Sequence, residues 1–383
     1  MIHPRDSTID ICAIGMASSL GQTAAASCAA ARAGIARGRA LDHEVFAPAD
    51  GEMIATTGCF SGNTESGFAG PGRLVDLARA SLLDLRRQLA DDSLSDARVQ
   101  TLVVAPDHEH ETACIEVESR DLGDYRDAVM AMRTARLRDV MDTETRGLDR
   151  ELASTLAIWR AHSAGNQWFR GRTGFAAATL AAAAALEDGR ATVCLLGAFD
   201  SLLDAETLDA LYALDLLKGP DNPVGVIPGE AAVVFVLRAH GSRSPSLPPI
   251  ATIDAVVLDA VSTPAPASGR PPADGGRQLA KVVEACLPSE ASSVHLVADL
   301  NGDERRSSEW GHAAVTAGWP RTAATTFLAS AFGETGSAAG AVAAAFAVHG
   351  WNRRAAVPDS CVVTLSELHG AKAAIRLSAH RES

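Results

Sequence analysis

Apolar residues fall in short continuous runs separated by longer stretches of helical period, an alternation that implies strands fed by crossover helices. The first run is Ile9-Asp10-Ile11-Cys12-Ala13-Ile14, and a helix over about 23–32 stops at Gly34. A helix over 72–89 carries Leu74, Leu77, Leu82, Leu83 and Leu85 and feeds a strand at 99–104. Positions 172–186, 191–196, 207–217 and 231–237 then read as helix, strand, helix and strand. The Gly/Ser/Pro stretch 238–249 reads as a surface connection. Beyond it the pattern resumes with a strand at 250–258, a helix at 277–286 and a strand at 294–298. A helix at 306–317, a strand near 325–328, a helix at 337–349 and strands at 361–365 and 374–377 follow. The expectation is an α/β chain of two βαβαβ-type halves with parallel pairing, over 1–240 and 250–383. The run 264–276, rich in Pro and Gly, reads as a long surface loop. The charged block 107–160 reads as a peripheral insertion.

Composition narrows the function classes. Small residues abound while aromatics make up only 4% of the 383 residues, which favours closely layered helices and strands. A formal net charge of −13, with no basic stretch to offset it, argues against a nucleic-acid partner. The seven Cys, at 12, 28, 59, 114, 194, 286 and 361, form no CxxC pair, so neither a disulfide framework nor a structural zinc is expected. No apolar stretch suits a membrane span and the polar start lacks a signal-peptide core, so a cytoplasmic protein is expected. No cofactor or metal is expected. His108 and His110 would share a face on a strand, but only Cys114 stands by as a third ligand, and a solvated loop is the favoured reading. His162-Ser163 lacks a nucleophile elbow and reads as structural.

Four local patterns together are similar to the β-ketoacyl synthase branch of the thiolase superfamily. They are Ala13-Ile14-Gly15-Met16-Ala17-Ser18-Ser19-Leu20-Gly21; Thr173-Gly174-Phe175-Ala176-Ala177-Ala178 leading to Leu195-Leu196-Gly197-Ala198-Phe199-Asp200; Pro228-Gly229-Glu230-Ala231-Ala232; and Gly333-Glu334-Thr335-Gly336-Ser337-Ala338-Ala339-Gly340. Small-residue turns recur widely, so their joint order and separation carry the resemblance. It implies a thiolase-like fold, its two halves packed as a layered αβαβα structure.

The resemblance also implies a catalytic Cys at a helix N-terminus and two His that assist decarboxylation and steady an enolate. The Cys position matches Gly171, or Arg172 if the spacing is one residue longer. The first His position matches Asn301, and the second matches Glu334, whose carboxylate would repel a malonyl carboxylate. Condensation is therefore not expected, and the chain reads as a degenerate ketosynthase. Cys194 reads as a buried small hydrophobe mid-strand. Arg172, Asp299, Asn301, Asp303 and Glu334 should converge as a polar cluster, with Arg172 or Arg170 pairing with Glu334. A satisfied cluster is favoured over a new active site. The charged loop 299–310, ending at Trp310, is either a helix-capping loop or a recognition patch.

The family commonly dimerises through a strand preceding the nucleophile turn, here Asn166, Gln167, Trp168 and Phe169. A partner, adaptor or chaperone role on a homodimer or heterodimer follows. Ketosynthase-like proteins with a similar Asp299-Leu300-Asn301-Gly302-Asp303-Glu304-Arg305 segment are associated with type VI secretion effectors. A chain-length-factor-like subunit and a diverged acyl-thioester enzyme are the alternatives.

Overall fold

The computed structural model describes residues 8–380 apart from 48–50, 63–67, 221, 243, 261–275, 289–292, 318, 320–323, 356 and 368–369. The loop expected at 264–276 lies almost wholly outside them. The first half runs β1 (Ile9–Ser18), α1 (Ala24–Arg32), a hairpin of β2 (Arg39–Ala47) and β3 (Glu52–Gly58), α2 (Gly70–Gln88), β4 (Arg98–Ala105), α3 (Glu109–Glu118), α4 (Arg126–Ile158), β5 (His162–Arg170), α5 (Gly174–Glu187), β6 (Val193–Ser201), α6 (Ala205–Ala213) and β7 (Glu230–Ala239). The second half runs β8 (Ala251–Asp259), α7 (Arg277–Cys286), β9 (His295–Ala298), α8 (Glu304–Thr316), β10 (Ala324–Phe327), α9 (Ala329–Phe332), α10 (Ala339–Asn352), β11 (Ser360–Ser366) and β12 (Lys372–Ala379).

Ten strands form one hydrogen-bonded array in the order β10-β9-β11-β12-β8-β1-β7-β6-β4-β5. Read outward from its centre, each half places its own first, fifth, fourth, second and third strand in that sequence. The halves also share strand direction. β4 pairs parallel with β5 and β6, as β9 does with β10 and β11. The β6–β7, β1–β7, β11–β12 and β8–β12 pairs are antiparallel. The parallel pairing expected from the alternation is present within each half, and the antiparallel strands make the sheet mixed, because hydrophobic period reports burial and not strand direction. Within the sheet the halves join where Ile9–Ile11 pairs with Ala251–Ile253.

Most of these strands are buried along their length because helices cover both faces. The Ala-rich α5 and α10 are apolar all round and lie in the largest core cluster, against inner faces from β1, β4, β6, β7, β8, β11 and β12. Their small side chains let the two halves of the sheet approach from opposite sides. On the outer face of the first half, Leu74, Leu77, Leu82 and Leu85 of α2 pack with Leu148, Leu152 and Leu156 of α4. On that of the second half, α7 packs with α8 through Leu279, Val282, Val283 and Ala313. Five layers result, helices alternating with sheet.

The block 107–160 is a structural wall, not a solvated appendage. The 33 residues of α4 span about 50 Å. They bury Leu137, Glu144, Leu148, Leu152 and Leu156 on one stripe while charges face water.

Candidate functional site

Parallel strands direct their C-terminal ends to one side, where the loops that follow can converge. Asp107 follows β4, Arg172 follows β5, Asn301 follows β9 and Glu367 follows β11. Glu334 sits between α9 and α10, its backbone pinned to the 227–229 turn. Its N–H donates to the Ile227 carbonyl at 2.7 Å, and its carbonyl accepts from Gly229 N at 2.8 Å.

The centre is a buried ion pair. Arg172 Nη1 donates to Glu334 Oε1 at 2.6 Å, with the two side chains 2% and 3% exposed. Glu334 also accepts from Asn301 Nδ2 at 2.6 Å and from Gly336 N at 2.7 Å. Burial opposes ionisation of Glu334, yet Arg172, then Arg306, and these hydrogen bonds hold its carboxyl below the usual range. Burial likewise works against the Arg172 charge, and Glu334 and Glu109 outweigh it. Arg172 Nε lies 3.6 Å from Glu109 Oε1. Every charge-bearing group in this network already has an opposite partner.

Next to the pair lies a cavity of about 40 Å³ lined by Asp107, His108, Glu109, His110, Glu111, Glu144, Arg172 and Asp200 among others. Here carboxylates outnumber cations. Burial, then Glu109, Glu367 and Asp200, push Asp107 up to about 8. Burial pushes Asp200 up to about 7 even though its Oδ2 accepts from Ser337 N at 2.6 Å. His108 runs the other way: burial lowers it, but Glu111 and Glu144 raise it to about 11, so it is a fixed cation. His110 is held neutral by burial. Oxygens of Asp107, Glu109 and Glu367 lie within 4.8 Å of one another, a spacing that could hold a cation and that otherwise requires shared protons.

Gly171 shows why the acidic groups matter. Its φ is +74°, and a Cβ there would lie 2.6 Å from Asp107 Oδ2 and 2.8 Å from Glu367 Oε1. Glu367 Oε1 also accepts from Thr173 N at 2.6 Å and from Thr173 Oγ1 at 2.8 Å, at the entry to α5. Carboxylate oxygens therefore crowd the space that any side chain at this position would enter.

No protein-family model matches the chain, and no curated protein does. Solved structures do. A ketosynthase from module 6 of the bacillaene synthase of Bacillus subtilis 168 superposes with TM-score 0.68 at 11% identity, covering 98% of this chain and 72% of that one. The ishigamide ketosynthase/chain length factor gives 0.64 at 17% identity, over 98% and 100%. The type II polyketide synthase complex AntDE:AntF, a ketosynthase with its acyl-carrier protein, gives 0.71 at 13%, over 99% and 100%. The chain has the ketosynthase fold.

Within this ketosynthase-fold chain the expected residues separate into groups. Arg172, Asn301 and Glu334 meet, and the Arg172–Glu334 pair expected from sequence is present. Gly171 does not join them, since its vacant side faces Asp107 and Glu367. Arg170 pairs instead with Glu144, at 3.8 Å. Asp299 lines a small cavity of about 30 Å³ with Arg172 and Glu334, while its carboxylate holds Arg306 Nη1 at 3.0 Å and Ser366 N at 2.6 Å. Asp303 turns away and caps α8, accepting from Arg305 N at 2.9 Å.

The His108–Glu111 segment corrects the solvated-loop expectation. It opens α3 rather than extending as a strand, with His108 at φ 55° as the N-terminal cap, and its His108 and His110 side chains are only 13% and 12% exposed. Mutual pairing inside the cavity compensates their burial. His162 is 70% exposed, and Cys194 is buried with its thiol pushed up to about 12. All seven Cys are buried and free, and none lines either cavity at the ion pair. The thiol adjoining Gly333, Cys59, is pushed up to about 11 by burial.

Among the described residues, β5 is an edge strand paired only with β4. Asn166 Nδ2 donates to Asp149 Oδ1 at 2.7 Å, and Gln167 pairs in register with Leu102. Trp168 and Phe169 are half-buried and pack against two cores of their own chain, which accounts for their apolarity without a second subunit. Among the described residues, no helix is long and apolar enough to cross a membrane.

Sequence reasoning missed Asp107, Glu109, Asp200 and Glu367 as members of one site. A usable signal was present: each lies just after a strand end or at its last turn, where a parallel sheet gathers its functional groups.

Proposed function

We propose that this chain is a catalytically inert ketosynthase-like protein that acts through protein contacts, as a partner, adaptor or chaperone in the cytoplasm. The observation that supports this best is the Arg172–Glu334–Asn301 network. It occupies the positions matched to the family's nucleophile and His residues with groups that pair with one another. An acyl-transfer site needs a nucleophile with a free reaction path and donors aimed at a developing oxyanion. In this reading Arg172 and Glu334 fill the path, and the carboxylates of Asp107 and Glu367 crowd Gly171. A malonyl group, itself anionic, would meet this acidic wall at a cost.

The exposed edge of β5, over Asn166, Gln167, Trp168 and Phe169, is the proposed dimer contact, because an unpaired edge offers backbone donors and acceptors to a second strand. The link to type VI secretion effectors rests on the 299–305 segment. A second reading, a subunit that pairs with an active ketosynthase, is favoured by the likeness to the ishigamide ketosynthase/chain length factor over the whole of both chains. Affinity purification from the native cell, followed by native mass spectrometry, separates them. A stoichiometric secretion effector or component supports the adaptor, whereas an active ketosynthase supports the second reading. Thioester turnover that is lost in Glu334→Ala would overturn both.

A further inference from the structure

A cavity larger than the two at the ion pair lies apart from them, on the other side of the loop that supplies Asn301. It measures about 280 Å³ and is lined by Leu214, Asp215, Leu216, Asn222, Val224, Gly225, Gly302, Asp303, Glu304 and Arg305. Two loops shape it. Gly302, at φ +102°, lies against the Gly225 carbonyl so closely that a Cβ there would sit 2.5 Å from that oxygen. Asn222 Nδ2 donates to the Asp215 carbonyl at 2.7 Å and fixes the opposite wall.

The wall chemistry has two parts. Leu214, Leu216 and Val224 supply apolar surface, and Val224 is 61% exposed. The charged groups are Asp215, Asp303, Glu304 and Arg305. Arg305 is already committed: its Nε and Nη2 reach Asp303 at 3.2 and 3.1 Å. With that pair cancelled, Asp215 and Glu304 remain, and among the described residues neither carboxylate makes a hydrogen bond or ion pair.

We propose that this cavity is a binding site for a cationic side chain of a partner protein, a lysine or arginine whose apolar stem lies on Leu214, Leu216 and Val224 while its head meets Asp215 and Glu304. Long cationic side chains suit such a site because their stems are apolar and only the tip is charged. Charge complementarity decides the class of occupant: Asp215 and Glu304 are exposed, so an acidic segment would be repelled and a purely apolar one would leave their charge unused. The site is independent of whether the Arg172 centre is inert, since it shares no charged group with it. It gives the 299–303 loop and the first turn of α8 a recognition role beyond capping that helix.

The test uses the full chain with three blocked tripeptides, alike except for a central arginine, lysine or citrulline. Citrulline keeps the shape of arginine and removes the charge. Binding is followed by the amide resonances of Gly225 and Gly302 in a transverse-relaxation-optimised NMR titration. The arginine and lysine peptides should shift both amides and bind about fivefold or more tightly than the citrulline peptide, as two partly exposed ion pairs would give. The Asp215→Asn/Glu304→Gln variant should erase that preference with an unchanged melting temperature, and added salt should weaken it in the wild type. Equal affinity for arginine and citrulline peptides, or no movement of either glycine amide, overturns the proposal. A preference for the arginine or lysine peptide that survives in the double variant does so too.

Discussion

Removing one member of the buried pair is the sharpest perturbation available. In Glu334→Ala the Arg172 guanidinium, 2% exposed, loses a 2.6 Å partner and keeps only Glu109 at 3.6 Å. Asn301 Nδ2 and Gly336 N lose their acceptor at the same time. Breaking a buried pair from one side costs about 3–5 kcal/mol, mostly because the remaining charge is stranded. An unfolding entropy of about 2.1 cal/mol/K per residue over 383 residues gives about 0.8 kcal/mol/K, so the melting temperature should fall by about 4–6 °C. Arg172→Met/Glu334→Leu removes both charges together and should recover most of that loss, since an apolar replacement of a buried pair is often neutral. Scanning calorimetry on wild type, Arg172→Met, Glu334→Leu and the double variant closes the cycle, with Glu334→Ala run beside them. Additive losses, with the double variant the least stable, would refute the reasoning.

Three further outcomes are expected. Asp107 is raised to about 8, so the folded state holds a proton that the unfolded chain releases near 3.8, and stability should decline as pH rises between those values. Asp107→Asn should therefore stabilise the protein more at about pH 9 than at about pH 5, as read by urea midpoints, and an equal gain at both pH values would contradict this. Gly171→Ala combines a left-handed backbone with a clash against Asp107 and should cost about 1–3 kcal/mol in chemical denaturation, more than Gly189→Ala, which is left-handed but meets nothing within 4 Å. Leu148→Ala, at 0% exposure between α2 and α4, should cost about 2–5 kcal/mol; a neutral result would show that α4 is detachable after all.

How far the sequence reaches can be judged residue by residue. The α7 boundaries were legible outright, because Leu279, Val282, Val283 and Cys286 repeat at helical spacing. The pairing of Arg172 with Glu334 was legible because the motif match assigns the two residues to neighbouring positions of one site. Strand direction was not, since β7 and β12 are as apolar as the parallel strands beside them. The β2–β3 hairpin escaped because its residues alternate poorly and stay largely exposed. α4 escaped because charge density concealed its stripe, although Leu137, Glu144, Leu148, Leu152 and Leu156 recur at spacings of seven and four residues. The acidic cluster was harder to see: Asp107, Asp200 and Glu367 are far apart in sequence, and only their shared place at strand ends hints that the sheet brings them together.

The most direct measurement of the central claim is the intact mass of the protein after incubation with a panel of acyl-CoA and acyl-carrier-protein thioesters. The buried ion pair and the absence of a thiol from both cavities at the pair predict an unchanged mass throughout. A stable acyl adduct on the wild type, mapped to a side chain lining either cavity and abolished by Glu334→Ala, would contradict the account.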